Sequence, residues 1–253
     1  MYTNTFLLLA LSAATLITAH GKVTVVTGDA GGNGTALGIK GASVARFGKN
    51  ADTELDTTVF NGDANKPLTD GLGKTNAAGQ LKVSMLNDAM ALSGNTLPQV
   101  SSTGGSITGT WQTVTSDGTA NNKDGELFAV LDTTGTGNYS KGTQLVATSK
   151  MVGNGNGNVV SKRANNVGAD AKFSVKIPDG TTCTGKDDAS GATNFCLLKV
   201  VNNNGAGPFG GNVAFQIAGA GTVNATSADG TTAAAAKPAK ATNGAKAARS
   251  FHA

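Results

Sequence analysis

The chain of 253 residues has two cysteines, two histidines, two glutamates and five prolines, and aromatics make up only 5% of it. Each scarcity removes a class of function. A serine or cysteine nucleophile needs an imidazole base inside the fold, yet the histidines are His20, near the front, and His252, in a low-complexity terminus. The sequence therefore argues against a triad hydrolase. Glycoside hydrolysis needs a carboxylate pair and usually an aromatic platform for the sugar. Glu54 and Glu126 each have a neighbouring aspartate, Asp56 and Asp124, but beyond residue 19 the only aromatics other than phenylalanine are Trp111 and Tyr139. These carboxylates read as solvated loop charge. Gly73, Lys74 and Thr75 look like the end of a phosphate loop, but the glycine that loop requires is replaced by Leu68. Cys183 and Cys196, in TTCTGKDDASGATNFC, have no third ligand nearby. They read as a disulfide closing a short loop, worth about 3 kcal/mol.

Charge is sparse too, at 14% of residues with a net +4. Much of the excess comes from Lys237, Lys240, Lys246 and Arg249, among which no carboxylate stands. A nucleic-acid surface would need a folded basic patch with interleaved aromatics, so no nucleic-acid partner is expected. Diffuse positive charge suits an anionic polysaccharide or membrane surface instead.

What is present begins with an apolar run, FLLLALSAATLI, followed by Thr18 and Ala19. It is too short to span a bilayer and ends in small residues, so residues 1–19 read as a signal peptide and the protein as secreted, extracellular or wall-associated. No later window is apolar enough to span a membrane. Cleavage would leave His20 first, with an α-amine beside its imidazole. That pair can chelate copper, with Asp29 as a candidate further ligand. The second imidazole of a three-nitrogen copper brace is missing, so no cofactor is expected. A copper-dependent polysaccharide monooxygenase-like protein stands as the alternative. Sequons at Asn33, Asn138 and Asn224 make these the glycosylation candidates, and Lys162-Arg163 resembles a dibasic processing site.

Short alternating or apolar runs bounded by Gly and Asn predict strands at 22–27, 106–114, 126–132, 144–148, 172–177, 195–201 and 212–218. In KFSVKI the alternation places Phe173, Val175 and Ile177 on one face and Lys172, Ser174 and Lys176 on the other. Leu81, Met85, Ala89 and Leu92 recur at helical spacing and predict one short helix over 80–92. The fold class is mainly β: a single antiparallel β-sandwich over 20–218, with residues 219–253 as an Ala/Lys-rich, disordered, flexible tail.

The phrases HGKVTVVTGDAGGNGTALGI, LPQVSSTGGSITGTWQTVTSDG, IPDGTTCTG and CLLKVVNNNGAGPFGGNVAFQ, in this order, resemble the Egh-type fungal secreted proteins, the appressorium-specific group also called Gas and Mas proteins. AGPFGG (206–211) is the most specific of them. The resemblance implies a secreted virulence-associated protein of infection structures, without an assigned enzymatic activity. It also implies that relatives carry cysteines matching Val200 and Asn212, as if one disulfide had been dispensed with here, and a histidine matching Gln112.

The function expected from all this is a non-catalytic secreted sandwich acting at the fungal surface or the host interface during penetration. Host surface or cell-wall polysaccharide is the expected partner. The Gly-rich loop containing Pro208, Phe209, Gly210 and Gly211 is the expected recognition edge.

Overall fold

A computed structural model describes residues 20–41, 52, 54–61, 66–114, 127–147, 170–202 and 207–220. The predicted signal peptide, Lys162-Arg163, Asn224 and nearly all of the predicted tail lie outside these residues, as do Asp124, Glu126 and His252. Among the described residues the strands are β1 (Gly21–Gly28), β2 (Gly31–Gly34), β3 (Thr58–Val59), β4 (Lys74–Thr75), β5 (Gly79–Gln80), β6 (Gln99–Val100), β7 (Gly105–Thr113), β8 (Leu127–Asp132), β9 (Thr143–Val146), β10 (Asp170–Ile177), β11 (Gly185–Asp187), β12 (Ala192–Asn202) and β13 (Phe209–Ile217). Every predicted strand has a counterpart.

The strands form two sheets. One has four strands in the order β10-β7-β1-β2, and the other runs β5-β4-β3-β13-β12-β8-β9, with β11 added beside β12 and β6 beside β13. Pairing is antiparallel throughout except between β6 and β13. The facing sides of the two sheets enclose the core: Val23, Val26, Ile107, Trp111, Phe173, Val175 and Ile177 from the small sheet meet Leu131, Leu198, Val200, Val213 and Phe215 from the large one. Each such side chain contributes roughly 1.5–3 kcal/mol by leaving water. Cys183 and Cys196 lie at disulfide distance, with Cα atoms 4.9 Å apart, and tie the segment after β10 to β12.

The two sheets differ on their outer sides. In β10, Phe173, Val175 and Ile177 are buried while Lys172 and Lys176 are exposed, as alternation demands of a sheet with one wet face. Strand β13 is buried along its whole length and β12 nearly so. Their second face is covered by an outer layer holding Leu37, Leu72, Leu81, Leu86, Met90, Leu97 and Tyr139. Covering both faces leaves few polar positions, so CLLKVV is apolar on both sides of the strand except at the buried Lys199.

The helix supplies part of that layer and is shorter than its spacing suggested. A 3₁₀ turn at Val83–Met85 leads into α1 (Leu86–Ala91). The buried residues of α1 are Leu86, Ala89 and Met90, and Leu92 is 56% exposed. A 3₁₀ turn advances about 120° per residue instead of 100°, which shifts the phase of the buried stripe after its first turn.

Candidate functional site

His20 stands immediately before β1, and its carbonyl accepts a hydrogen bond from the Val114 N–H (2.9 Å), continuing the β1–β7 ladder by one step. Its ring is buried. Nδ1 lies 3.4 Å from Glu54 Oε1, and the ring centroid lies 4.3 Å from that of Phe209 at a 42° tilt. Two residues along, Lys22 Nζ donates to Asp56 Oδ1 at 2.6 Å, and Asp56 Oδ2 accepts from the Lys40 N–H at 3.1 Å. Glu54 and Asp56 are therefore not solvated loop charge as expected from sequence. They form an E-x-D segment that closes over the H-x-K start of β1, and Asp56 is wholly buried. The matching spacing of two on both segments is the signal that could have revealed the pairing.

Asp29 is not part of this corner. It follows the other end of β1, roughly 25–30 Å away along an extended strand. Its carboxylate accepts bonds from Ser101 Oγ, the Ser101 N–H (3.2 Å) and the Ser106 N–H (3.0 Å). Burial pushes the Asp29 carboxyl up, but these bonds outweigh it and hold it below its ordinary range. Asp29 organises a turn, and His20 and Asp29 cannot share one ion. Among the described residues no group of three or more His, Cys, Asp and Glu side chains is placed to hold a metal.

The expected recognition edge also needs correction. Pro208, Phe209, Gly210 and Gly211 are buried, and the last three belong to β13. A side chain at Gly210 would run into the Val200 carbonyl, and one at Gly211 into Ala36 and Val23. The two glycines let β12 and β1 approach β13 closely. The peptide before Pro208 is cis, the Pro208 carbonyl accepts from the Phe60 N–H (2.9 Å), and the Phe209 N–H donates to Asn202 Oδ1 (2.9 Å). The most specific phrase of the sequence is thus a packing device that sets Phe209 against His20.

Val200 and Asn212 do not face each other. In the β12–β13 register Val200 opposes Gly211 and Lys199 opposes Asn212. Val200 points into the core between the sheets, whereas Asn212 joins Tyr139 in the outer layer: the Tyr139 hydroxyl donates to Asn212 Oδ1 (2.8 Å) and Asn212 Nδ2 donates to the Leu72 carbonyl (2.7 Å). Cysteines at these two positions would lie on opposite sides of the sheet and could not pair. Lys199 beside them is buried, donating to the carbonyls of Pro67 (3.0 Å) and Thr69 (2.8 Å) with its ammonium 4.8 Å from the ring centroids of Phe60 and Tyr139. Burial lowers it to about 8, partly offset by the charge of Asp70. Burial, with the Asp132 charge adding to it, holds the Tyr139 phenol well above its ordinary range. Gln112 lies opposite Lys22, so a histidine there would be one strand across and two residues along from His20.

Trp111 and Tyr139 are both fully buried and offer no ring to a sugar. The open chemistry lies on the outer face of the small sheet. A groove of about 460 Å³ there is lined by Val25, Thr27, Thr108, Thr110, Lys172 and Ser174 together with Gly109 and Phe173. The register builds it in rows: Asn33, Thr27, Thr108 and Ser174 align across four strands, and Val25, Thr110 and Lys172 form the next row. Thr27 Oγ1 donates to Asn33 Oδ1 (3.0 Å), and Lys172 Nζ to Thr110 Oγ1 (2.7 Å). Of the sequon asparagines, Asn33 is exposed at this rim, while Asn138 is half-buried beside Asp70 and Ser140.

Comparison with known proteins agrees with the phrases picked out above. A family model described as Egh16-like virulence factor matches residues 18–210. The appressoria-specific virulence factor GAS1 of Pyricularia oryzae (strain 70-15 / ATCC MYA-4617 / FGSC 8958) is 35% identical over 215 residues, covering 84% of this chain and 78% of that protein. No solved structure matches. The family match extends over the β1 corner and most of the two sheets, and the chain belongs to the Egh16-like family.

Proposed function

We propose that this protein is an exported, non-catalytic virulence factor that acts at the fungal surface or the host interface during penetration. The observation that carries this reading is its 35% identity, over most of both chains, to a relative described as an appressoria-specific virulence factor. The geometry supports a binding role: the titratable groups brought together at the β1 corner are buried and joined to one another, while the small sheet offers a polar groove on rigid strands. No helix among the described residues is long and apolar enough to cross a membrane, which is compatible with export. The test is deletion of the gene with complementation by a tagged copy. Loss of penetration with tag signal outside the infecting cell is the expected result, and full penetration by the deletion strain would refute the role.

A second reading keeps copper, because Glu54 stands 3.4 Å from the His20 imidazole where the sequence had suggested Asp29. The released α-amine and ring of His20 would hold the ion, with the Glu54 carboxylate beside them. Copper titration of protein processed at His20 decides it. Binding no tighter than that of a His20→Ala variant ends this reading.

A further inference from the structure

The outer side of the small sheet carries a ladder that the functional reading does not by itself specify. Lys172, Ser174 and Lys176 alternate along β10, and the register sets each of them opposite a hydroxyl on β7: Lys172 opposite Thr110, Ser174 opposite Thr108, Lys176 opposite Ser106. The two lysines are exposed and about 13 Å apart along the strand. Neither forms an ion pair with a carboxylate among the described residues, and Lys172 instead donates to Thr110 Oγ1. Cation and hydroxyl alternate along β10, from Lys172 and Ser174, which line the groove, to Lys176 beyond it, and the groove has no exposed aromatic ring in its lining; this sets the chemistry of what can bind. A neutral sugar chain is commonly held by stacking on rings, which this face does not supply. A chain with a carboxylate on its sugars and free hydroxyls between them meets both partners in turn.

We propose that this ladder is a binding site for a linear carboxylated polysaccharide of the polyuronate class, lying along β10 and β7. The proposal rests on the reading of a protein acting at the fungal surface or host interface, and names the partner there. The test is affinity electrophoresis and calorimetry of the chain from His20 onward with polygalacturonate as the probe. The fully methyl-esterified polymer serves as a neutral control with the same backbone. Binding that weakens steeply with salt, is absent from the esterified polymer and falls tenfold or more in the Lys172→Gln, Lys176→Gln double variant is expected. Both lysines are exposed, so the double variant should keep the wild-type melting temperature, and Thr108→Val should weaken binding by a smaller factor.

Equal binding by the double variant overturns the proposal, as does equal binding of the esterified polymer or no binding of polygalacturonate at all. Truncation before Gly219 separates this face from the lysines of the terminus: binding lost on truncation and kept in the double variant would also overturn it. These outcomes are independent of the penetration assay. A protein dispensable for penetration that still binds polyuronate sinks only the functional reading, and a required protein that does not bind it sinks only the ladder.

Discussion

Lys22 and Lys199 are equally buried, at 2% and 1% exposure, and are stabilised in opposite ways. Lys22 meets a carboxylate at 2.6 Å, so charge is cancelled by charge. Lys199 is held by two backbone carbonyls and the faces of two aromatic rings, a set of dipoles and quadrupoles that favours a cation without neutralising it. The difference lies in what each lysine fastens. Lys22 binds the E-x-D segment to the start of β1, where a wrong partner would leave two buried charges. Lys199 binds the loop at Pro67 and Thr69 over β12, where carbonyls are the available acceptors. A buried pair is worth little against an apolar replacement, but breaking it is expensive. Burial without a carboxylate in contact instead shows itself as a lowered affinity for the proton, which the more distant Asp70 only partly offsets.

The sharpest way to break this contrast is Asp56→Ala. It leaves Lys22 buried without its carboxylate and removes the acceptor of the Lys40 N–H, and about 3–5 kcal/mol of stability is expected to be lost in chemical denaturation. A loss below 1 kcal/mol would mean that the segment opens and lets Lys22 reach water.

The next effect is the response to pH. The folded chain releases the Lys199 proton near 8 while the unfolded chain keeps it to about 10.4, so the unfolded state binds more protons between these values and stability rises with pH. The gain from Lys199 is about 2 kcal/mol between about pH 7.5 and 9.5. Above about pH 10 Tyr139 acts the other way, because the buried phenol keeps a proton that the unfolded chain gives up. Denaturation curves of wild type and Lys199→Met across this range isolate the lysine, and parallel curves would contradict its lowered proton affinity.

At neutral pH Lys199→Met is expected to shift stability by about 1 kcal/mol or less, since the lost bonds to Pro67 and Thr69 are offset by no longer burying a charge. Smallest of all, Lys172→Gln on the open face should stay within about 0.5 kcal/mol by thermal melting. Exposure, and not the lysine itself, would then account for the ranking.

Much of the sandwich was legible because alternation is a local property. Phe173, Val175 and Ile177 reveal their face without knowledge of any partner strand, and the turn-rich segment between Cys183 and Cys196 suggests their proximity. The β1 corner was not legible. Glu54 and Asp56 are more than thirty residues from His20 and Lys22, and beyond the matching spacing of two nothing within either stretch marks charge that will be buried. The phrase PFGG misled for a related reason: glycine and proline signal turns locally, but here they serve the close approach of β1, β12 and β13.

Composition and periodicity alone determined that the described residues are mainly β with a short helix at 86–91 and that imidazoles and aromatic rings are few, because those properties are set residue by residue along the backbone. Tertiary structure alone decided which polar residues are sealed inside and which stay wet. That choice depends on whether a second layer covers a sheet face: one covers β12 and β13, closing in Lys199, while β10 leaves Lys172 and Lys176 in solvent.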